Sequence, residues 1–216
     1  MSFRAPALAW AISLLFALAA PPAQAILFEA GGEVAMLSSS PEHGGTTTFV
    51  PFAGAGFELP RDFAVLGELG LLDYSVTKSG SRANLKLSEG TIAIQGTSLA
   101  AVGLKKIDRI EARFGFGIVQ YHYANELGSS VTSTLTAGGY TNVFESVKDA
   151  TGQQVLLGAD FRVSPHFLVG AEFRSVTVQP KVDVGLTLGS TSASATGTAN
   201  LSHTWLGLRA LYGFSS

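Results

Sequence analysis

The sequence contains no cysteine, so it has neither a disulfide framework nor a thiolate metal site. Charged residues are scarce, at 14% of 216 residues, while hydrophobic residues make up 46%. The formal net charge of −2 excludes the basic surface expected of a nucleic-acid-binding protein. After the N-terminal segment, no stretch approaches the roughly 18 apolar residues that a membrane-spanning helix needs. If this chain crosses a membrane, it must therefore cross with strands that close on themselves.

The N-terminal segment has the three parts of a secretory signal peptide. Arg4 supplies a positive charge, Ala7–Ala20 is almost entirely apolar, and Ala23-Gln24-Ala25 is a small-x-small cleavage motif. The alternative, a transmembrane anchor, is disfavoured because the apolar run is shorter than a spanning helix requires. We predict that residues 1–25 are a signal peptide, cleaved after Ala25, and that residues 26–216 form one domain.

The most informative pattern is an alternation with a bulky apolar face and a sparse charged face. In Ile110–Ile118, one face carries Ile, Ala, Phe, Phe and Ile, and the other carries Glu, Arg and two Gly. The same pattern recurs in Val155–Val163, Val169–Arg174 and Leu206–Phe214. A water-soluble sheet would cover its polar face with many charged and hydroxyl side chains. A face of glycine with about one ion per strand instead suits a crowded barrel interior, and the apolar face then contacts lipid.

Periodicity and turn chemistry predict eight strands. They are approximately Ile26–Leu37, Thr47–Leu59, Phe63–Val76, Ser98–Lys105, Arg109–Tyr123, Gln154–Val163, Phe167–Val178 and Leu201–Phe214. Their connections alternate between tight turns and long segments. The pattern predicts an all-β fold, namely an eight-stranded antiparallel up-and-down transmembrane β-barrel with short periplasmic turns and long extracellular loops.

Two sets of residues are predicted to have roles in this barrel. Inward ions are expected to pair as a lumen network, because an eight-stranded barrel is only wide enough for side chains to fill it. The predicted members are Glu29, Glu33, Glu58, Glu68, Lys105, Glu111, Arg113, Asp160, Arg162, Glu172, Arg174 and Arg209. Outward aromatic residues near the predicted short turns are expected to form a girdle at the membrane interface. Its predicted members are Phe57, Phe63, Phe161, Phe167, Tyr212 and Phe214.

The long connections carry weaker signals. Val182–Leu188 alternates and is expected to extend the last two strands beyond the bilayer. Thr187–Thr198 is nearly low-complexity in Ser, Thr, Ala and Gly, and is predicted to be mobile. Capping-box spacing at Asn142 and Glu145 predicts a short helix over Val143–Ala150. Gly54-Ala55-Gly56 and Gly115-Phe116-Gly117 lie inside strands and are predicted to be close-packed wall positions rather than phosphate loops.

The sequence offers little for catalysis. The four histidines, His43, His122, His166 and His203, do not have metal-ligand spacing. His122 or His203 could serve as the base of a lipid-modifying enzyme, but adjacent Ser202 and His203 point apart in a strand. We therefore predict no catalytic, cofactor-binding or metal site, and no enzymatic activity.

The closing segment Trp205–Phe214 has apolar residues at every second position up to the aromatic Phe214, which Ser215 and Ser216 follow. With the signal peptide and the eight strands, it resembles the small outer-membrane β-barrel superfamily. That group includes the OmpA transmembrane domain, OmpX, OmpW and opacity-like proteins. The resemblance implies the outer membrane of a Gram-negative bacterium, assembly by the barrel-assembly machinery, and contact with outer-membrane lipid and lipopolysaccharide.

Three functions remain open from the sequence. The first is a structural or surface-interaction barrel whose loops bind an extracellular ligand, in adhesion or envelope integrity. The second is a conduit of the porin type for small solutes, either through a narrow lumen or laterally for apolar compounds. The third is a lipid-A-modifying enzyme. Of these, the sequence favours the first.

Overall fold

The computed structural model describes residues 25–39, 45–78 and 90–215. The predicted signal peptide, apart from Ala25, lies outside the described residues, as does His43. The described residues form eleven strands and one helix. The strands are β1 (Ile26–Ser39), β2 (Gly45–Leu59), β3 (Phe63–Lys78), β4 (Gly90–Ile107), β5 (Ile110–Leu127), β6 (Tyr140–Val147), β7 (Ala150–Arg162), β8 (Phe167–Thr177), β9 (Lys181–Leu188), β10 (Thr191–Thr198) and β11 (His203–Ser215), and the helix is α1 (Ser129–Ala137).

Eight of these strands close into an antiparallel barrel in the order β1-β11-β8-β7-β5-β4-β3-β2. The predicted fold class is therefore confirmed, with all eight predicted strands present. Tight turns join β2 to β3, β4 to β5 and β7 to β8 at one end, which we call the turn end. The opposite end, the loop end, carries α1, β6, β9 and β10. No helix in the described parts of the chain is long and apolar enough to span a bilayer.

The wall of the barrel follows the alternation of the sequence. On β5, Arg113 and Tyr121 are buried in the lumen, whereas Phe114, Phe116 and Ile118 lie on the outer surface. Phe116 is 71% exposed, although it is one of the largest apolar side chains in the chain. Water would not stabilise such an exposed face, but the hydrocarbon core of a membrane does.

β4 differs from its prediction in length and in the side that faces the lumen. The strand begins at Gly90, eight residues before the predicted start at Ser98. Its buried side carries Ile92, Ile94 and Leu104, so the apolar face of this strand points inward. The missed part of β4 places apolar side chains in the lumen, as the loop-end parts of β1, β3 and β5 also do.

The loop end contains a second sheet of three strands, in the order β10-β9-β6. The pairing of β9 with β10 continues that of β8 with β11, without insertion on either side. Two backbone hydrogen bonds bridge the connection, from the Leu201 N–H to the Val178 carbonyl (3.2 Å) and from the Ala199 N–H to the Pro180 carbonyl (3.0 Å). One hairpin thus runs from the barrel wall into the second sheet. The predicted extension of the last two strands is confirmed.

The structure differs from two local expectations at the loop end. The helix predicted over Val143–Ala150 is replaced by β6, because Val143, Glu145 and Val147 alternate and β6 pairs with β9. The helix of this connection, α1, lies earlier in the chain. The segment predicted to be mobile contains β10, which pairs with β9 over all eight of its residues. Gly189, with φ 60°, takes the first position of the two-residue turn that sets this pairing.

Candidate functional site

The turn-end half of the lumen contains a buried group of charged residues, which we call the ion cluster. It brings together eight of the twelve residues predicted for the lumen network. They are Glu29, Glu33, Glu68, Arg113, Asp160, Glu172, Arg174 and Arg209, each at most 5% exposed. Five carboxylates therefore face three guanidinium groups, a formal charge of −2 if all are ionised.

The three arginines connect the carboxylates of several strands. Arg113 binds Glu29 through both terminal nitrogens (2.6 and 2.9 Å), and also contacts Glu68 (2.9 Å) and Asp160 (3.3 Å). Arg209 lies 3.3 Å from Glu68 and 3.5 Å from Asp160. Charge-assisted and bidentate hydrogen bonds of this kind are the strong ones. The network ties β1, β3, β5, β7 and β11 to one another across the lumen.

Arg174 and Glu172 complete the cluster from β8. Arg174 donates to Glu172 and Glu68, and Arg209 donates to the other oxygen of Glu172. Arg174 also lies over the ring of Trp205, 5.1 Å from its centroid. This contact joins the ion cluster to an aromatic layer further along the lumen.

The aromatic layer is built around Trp205 and His203. The Trp205 indole N–H donates to Glu33 Oε1 at 2.9 Å, while no described residue donates to the second carboxylate oxygen of Glu33. His203 stacks on Trp205, and its Nε2 lies 3.0 Å from the Tyr121 hydroxyl. The His203 Nδ1 lies 3.0 Å from the Leu201 carbonyl, so Nδ1 carries the proton and Nε2 accepts from Tyr121.

Four predicted network residues lie at the turn end rather than in the cluster. Glu111 pairs with Arg162, and Glu58 pairs with Lys106, at the mouth of the lumen. Lys105 is not in the lumen. It lies 4.4 Å from the Phe63 ring centroid and donates to the Arg61 carbonyl. The lumenal lysine is Lys106, because the even-numbered side chains of β4, such as Val102 and Leu104, point into the lumen.

The six predicted girdle residues lie on the outer surface near the turn end. Five of them are between 40% and 53% exposed, and Phe57 is half-buried. Tyr212 and Phe214 approach each other, and Phe214 stacks on Phe28 at 5.4 Å between centroids. Phe28 was missed by the sequence analysis. A ring of aromatic side chains at this level is typical of a membrane interface.

The loop-end half of the lumen is apolar, which the sequence analysis did not anticipate. Its buried residues include Leu37, Val50, Leu72, Ile92 and Tyr123. The interior of a transmembrane barrel is usually polar, so a packed apolar layer here is unusual. Leu37, Val50, Leu72 and Tyr123 lie within predicted strands, and only the inward residues of β4 before Ser98, such as Ile92, lie outside them.

The wall beside this apolar layer has a seam between β2 and β3. Among the described residues, their backbone pairing ends at Phe52 and Gly70, although both strands continue toward the loop end. The next residue of β2 is Pro51, which has no N–H. The Glu58 N–H donates to the Ala25 carbonyl at the start of β1, so the backbone groups of even-numbered β2 residues point toward β1. The backbone N–H and carbonyl groups of odd-numbered β2 residues therefore point toward β3. Pro51 thus removes the next hydrogen bond to β3.

The loop-end sheet has one apolar and one polar face. The apolar face, with Val184 and Leu186, packs toward α1, and a cavity of about 240 Å³ remains between them. The polar face carries Asp183, which accepts a hydrogen bond from Thr196 (2.8 Å) and pairs with Lys148 (3.1 Å). These contacts hold the pKa of the Asp183 carboxyl below its ordinary value.

The residues considered for catalysis are separated. Exposed His122 contacts Asp149 at 2.8 Å on the outside of the barrel, and buried His203 contacts Tyr121. The Ser202 hydroxyl lies against the backbone of Val178. Across the described ranges, no group of three His, Asp or Glu side chains is placed to hold a metal ion.

No family model matches the sequence, and no curated protein matches it. Solved structures do share its fold. The outer-membrane protein OprG of Pseudomonas aeruginosa is 14% identical, with 88% of this chain and 96% of OprG covered and a TM-score of 0.56. The outer-membrane protein AlkL, determined in DMPC bilayers, is 16% identical, with 92% and 94% covered and a TM-score of 0.50. The fold is that of the small eight-stranded outer-membrane barrels.

Proposed function

We propose that this protein is a non-enzymatic barrel of the bacterial outer membrane whose loop end presents an interaction surface outside the cell. Its role there is in adhesion or envelope integrity. The apolar band is the surface for outer-membrane lipid and lipopolysaccharide, and the aromatic end of β11 is the signal for the barrel-assembly machinery. Because outer-membrane barrels have short turns in the periplasm, the loop end faces outward.

The observation that carries this proposal is the hairpin that continues from β8 and β11 into β9 and β10. A barrel needs no such extension to span the bilayer, and eight ordered residue pairs beyond the wall form a defined surface. The lumen itself favours a non-conducting role. The ion cluster and the apolar layer are almost completely buried, as expected when side chains fill the interior of an eight-stranded barrel.

Surface display can be tested with single cysteines, because the natural chain has none. We expect Ser194→Cys, in β10, to react with a membrane-impermeant maleimide on intact cells. Ser164→Cys, in the turn between β7 and β8, is the matched control and should react only after the outer membrane is permeabilised. The measurement is the labelled fraction of the barrel on a gel.

The reverse labelling pattern would show that the loop end faces the periplasm and would contradict the proposal. The same purified barrel should also be silent in a planar bilayer. Well-defined channel openings in the bilayer current would contradict the interaction role and indicate a pore.

A second candidate function is a lateral route for small apolar solutes. The observation that favours it is the seam between β2 and β3, where the backbone ladder stops beside the apolar layer and the Thr48 hydroxyl donates to the Asp73 carbonyl (2.7 Å). An apolar molecule that entered from the loop end would meet Val50 and Leu72, both buried, next to this seam. Such a route would deliver the solute into the bilayer and not through the ion cluster.

This second candidate predicts that Pro51→Ala slows the uptake of an apolar fluorescent dye by intact cells several-fold. The substitution restores an N–H toward β3 and should extend the pairing beyond Phe52 and Gly70. Pro165→Ala, in a turn at the opposite end, is the control and should leave uptake unchanged. If Pro51→Ala and the parent protein take up dye equally fast, the seam is not a route.

A further inference from the structure

β10 is the open edge of the loop-end sheet. The sheet order is β10-β9-β6, and no other described strand pairs with the free side of β10. Side chains from Thr191 to Thr196 are all exposed. An edge strand of this kind presents unpaired backbone donors and acceptors to the solvent.

The hydrogen-bond pattern identifies which groups face the open side. The Lys148 N–H donates to the Lys181 carbonyl (2.8 Å), so odd-numbered residues of β9 bond toward β6 and even-numbered residues bond toward β10. The Ala199 N–H donates to Pro180, so odd-numbered residues of β10 bond toward β9. The N–H and carbonyl groups of the even-numbered residues therefore point outward. These residues are Ser192, Ser194, Thr196 and Thr198.

β10 lacks the features that usually protect an edge strand. Residues 191–198 contain no lysine, no other charge and no proline, and their pairing with β9 has no bulge. The opposite edge, β6, is protected by an irregularity in its pairing and by a side-chain hydrogen bond. Its register shifts between Thr141 and Phe144, and Asn125 donates to the Glu145 carbonyl on its outer side (3.0 Å). The difference between the two edges singles out β10.

The cavity beside α1 borders the same edge. Ala193, Ser194 and Ala195 of β10 contribute to its lining, together with Val184 and Leu186 of β9. In strand addition, backbone hydrogen bonds provide affinity, and pockets for alternate side chains provide specificity. An open edge next to a mostly apolar cavity, whose lining also includes Glu145, supplies both parts.

We infer that β10 binds an extended, uncharged segment of a partner protein by strand addition, with one bulky apolar side chain of that segment in the cavity. The inference rests on the proposed function, since it names the kind of partner that the loop end recognises. The uncharged edge selects an uncharged segment, because a charged side chain there would lose hydration without gaining a partner.

A second copy in the same membrane does not fit this edge. Two such copies are related by an axis along the membrane normal, whereas antiparallel pairing of two β10 strands needs a two-fold axis perpendicular to the sheet. Because β9 continues β8 away from the barrel, the sheet rises from the membrane and its perpendicular is not the membrane normal.

The test uses the complete barrel in lipid nanodiscs and an uncharged synthetic peptide that alternates Thr and Val around one central Phe. Ser194→Pro removes an outward N–H without touching the ladder to β9, and proline is tolerated in edge strands. We expect it to weaken peptide binding roughly fivefold to tenfold, the effect of losing one backbone hydrogen bond. Ser194→Ala keeps the N–H and is the matched control, with unchanged affinity.

Two further measurements separate strand addition from nonspecific binding. Amide exchange of Ser192, Ser194 and Thr196 should be fast in the free barrel and slowed by the peptide, while Ala193 and Ala195 are already slow. Ala195→Phe, which fills the cavity, should weaken binding of the Phe peptide but not of an otherwise identical peptide with Ala at its centre.

The inference is overturned if Ser194→Pro binds as tightly as Ser194→Ala, if the outward amides are already protected without peptide, or if the purified barrel dimerises through β10. The surface-display test is independent of these results. Labelling of Ser194→Cys on intact cells together with absent peptide binding would end the strand-addition inference and leave the proposed function in place.

Discussion

Replacement of Arg113 by Met is expected to destabilise the barrel by about 3–5 kcal/mol, the usual cost of removing one partner from a buried ion pair. Arg113 is the nearest cation to Glu29 and also contacts Glu68 and Asp160. Its loss changes the formal charge of the ion cluster from −2 to −3, because five carboxylates would face only two guanidinium groups. The measurement is the urea midpoint, in lipid vesicles, of a chain that begins at Ile26, followed by the fluorescence of Trp205, its single tryptophan.

Arg162→Met is the matched control. Arg162 also pairs with a carboxylate, that of Glu111, but its side chain is 35% exposed at the turn-end mouth. Exposed pairs contribute about 0–1 kcal/mol, so the control should unfold close to the parent. Adding Glu29→Gln to Arg113→Met should recover part of the loss, since it removes the carboxylate that Arg113 binds through two nitrogens. Equal midpoints for Arg113→Met and Arg162→Met would show that the cluster does not stabilise the fold.

Gly117→Ala is expected to destabilise the barrel by about 2–3 kcal/mol, toward the upper end of overpacking costs. A Cβ at Gly117 would lie inside van der Waals contact of the Leu99 carbonyl and the Ala100 Cα. Both are backbone atoms of the neighbouring strand β4, so no side chain can rotate away to relieve the contact. The measurement is the fraction of protein that shows heat-modifiable migration on gels, with the urea midpoint as a second readout.

Gly213→Ala tests the same substitution where there is space. The nearest atom to a Cβ at Gly213 lies 3.7 Å away, an ordinary contact distance, so this variant should fold like the parent. If both variants fold equally well, the close approach of β4 and β5 does not require glycine at position 117.

The lumen residues show how far the sequence alone leads. Alternation assigned Arg113, Asp160 and Glu172 to the inside of the barrel, because side-chain direction in a strand depends only on the parity of the residue number. It did not identify their partners. Whether Arg113 meets Glu29 or Glu172 depends on strand order and stagger around the barrel, which are properties of the closed sheet.

Lys105 and the loop end show why other predictions failed. The two faces of β4 are similarly apolar, with Ala100 and Val102 on one side and Ala101 and Gly103 on the other. The sequence therefore did not show which face points into the lumen, and the lumenal lysine is Lys106 instead of Lys105. At β6, the local capping signal was outweighed by pairing with β9. That pairing joins residues about forty positions apart, which no local pattern contains.

Three features were therefore fixed by the amino-acid order: the number of barrel strands, the lipid-facing side of most of them, and the burial of most of the ions. They follow from a two-residue period that any strand must obey, wherever it lies in the sheet. Tertiary structure alone decided the partners within the ion cluster, the seam at Pro51, and the ordering of a Ser- and Thr-rich segment as β10. Each of these depends on which strands become neighbours when the barrel closes, and a backbone hydrogen bond exists only once its distant partner is in place.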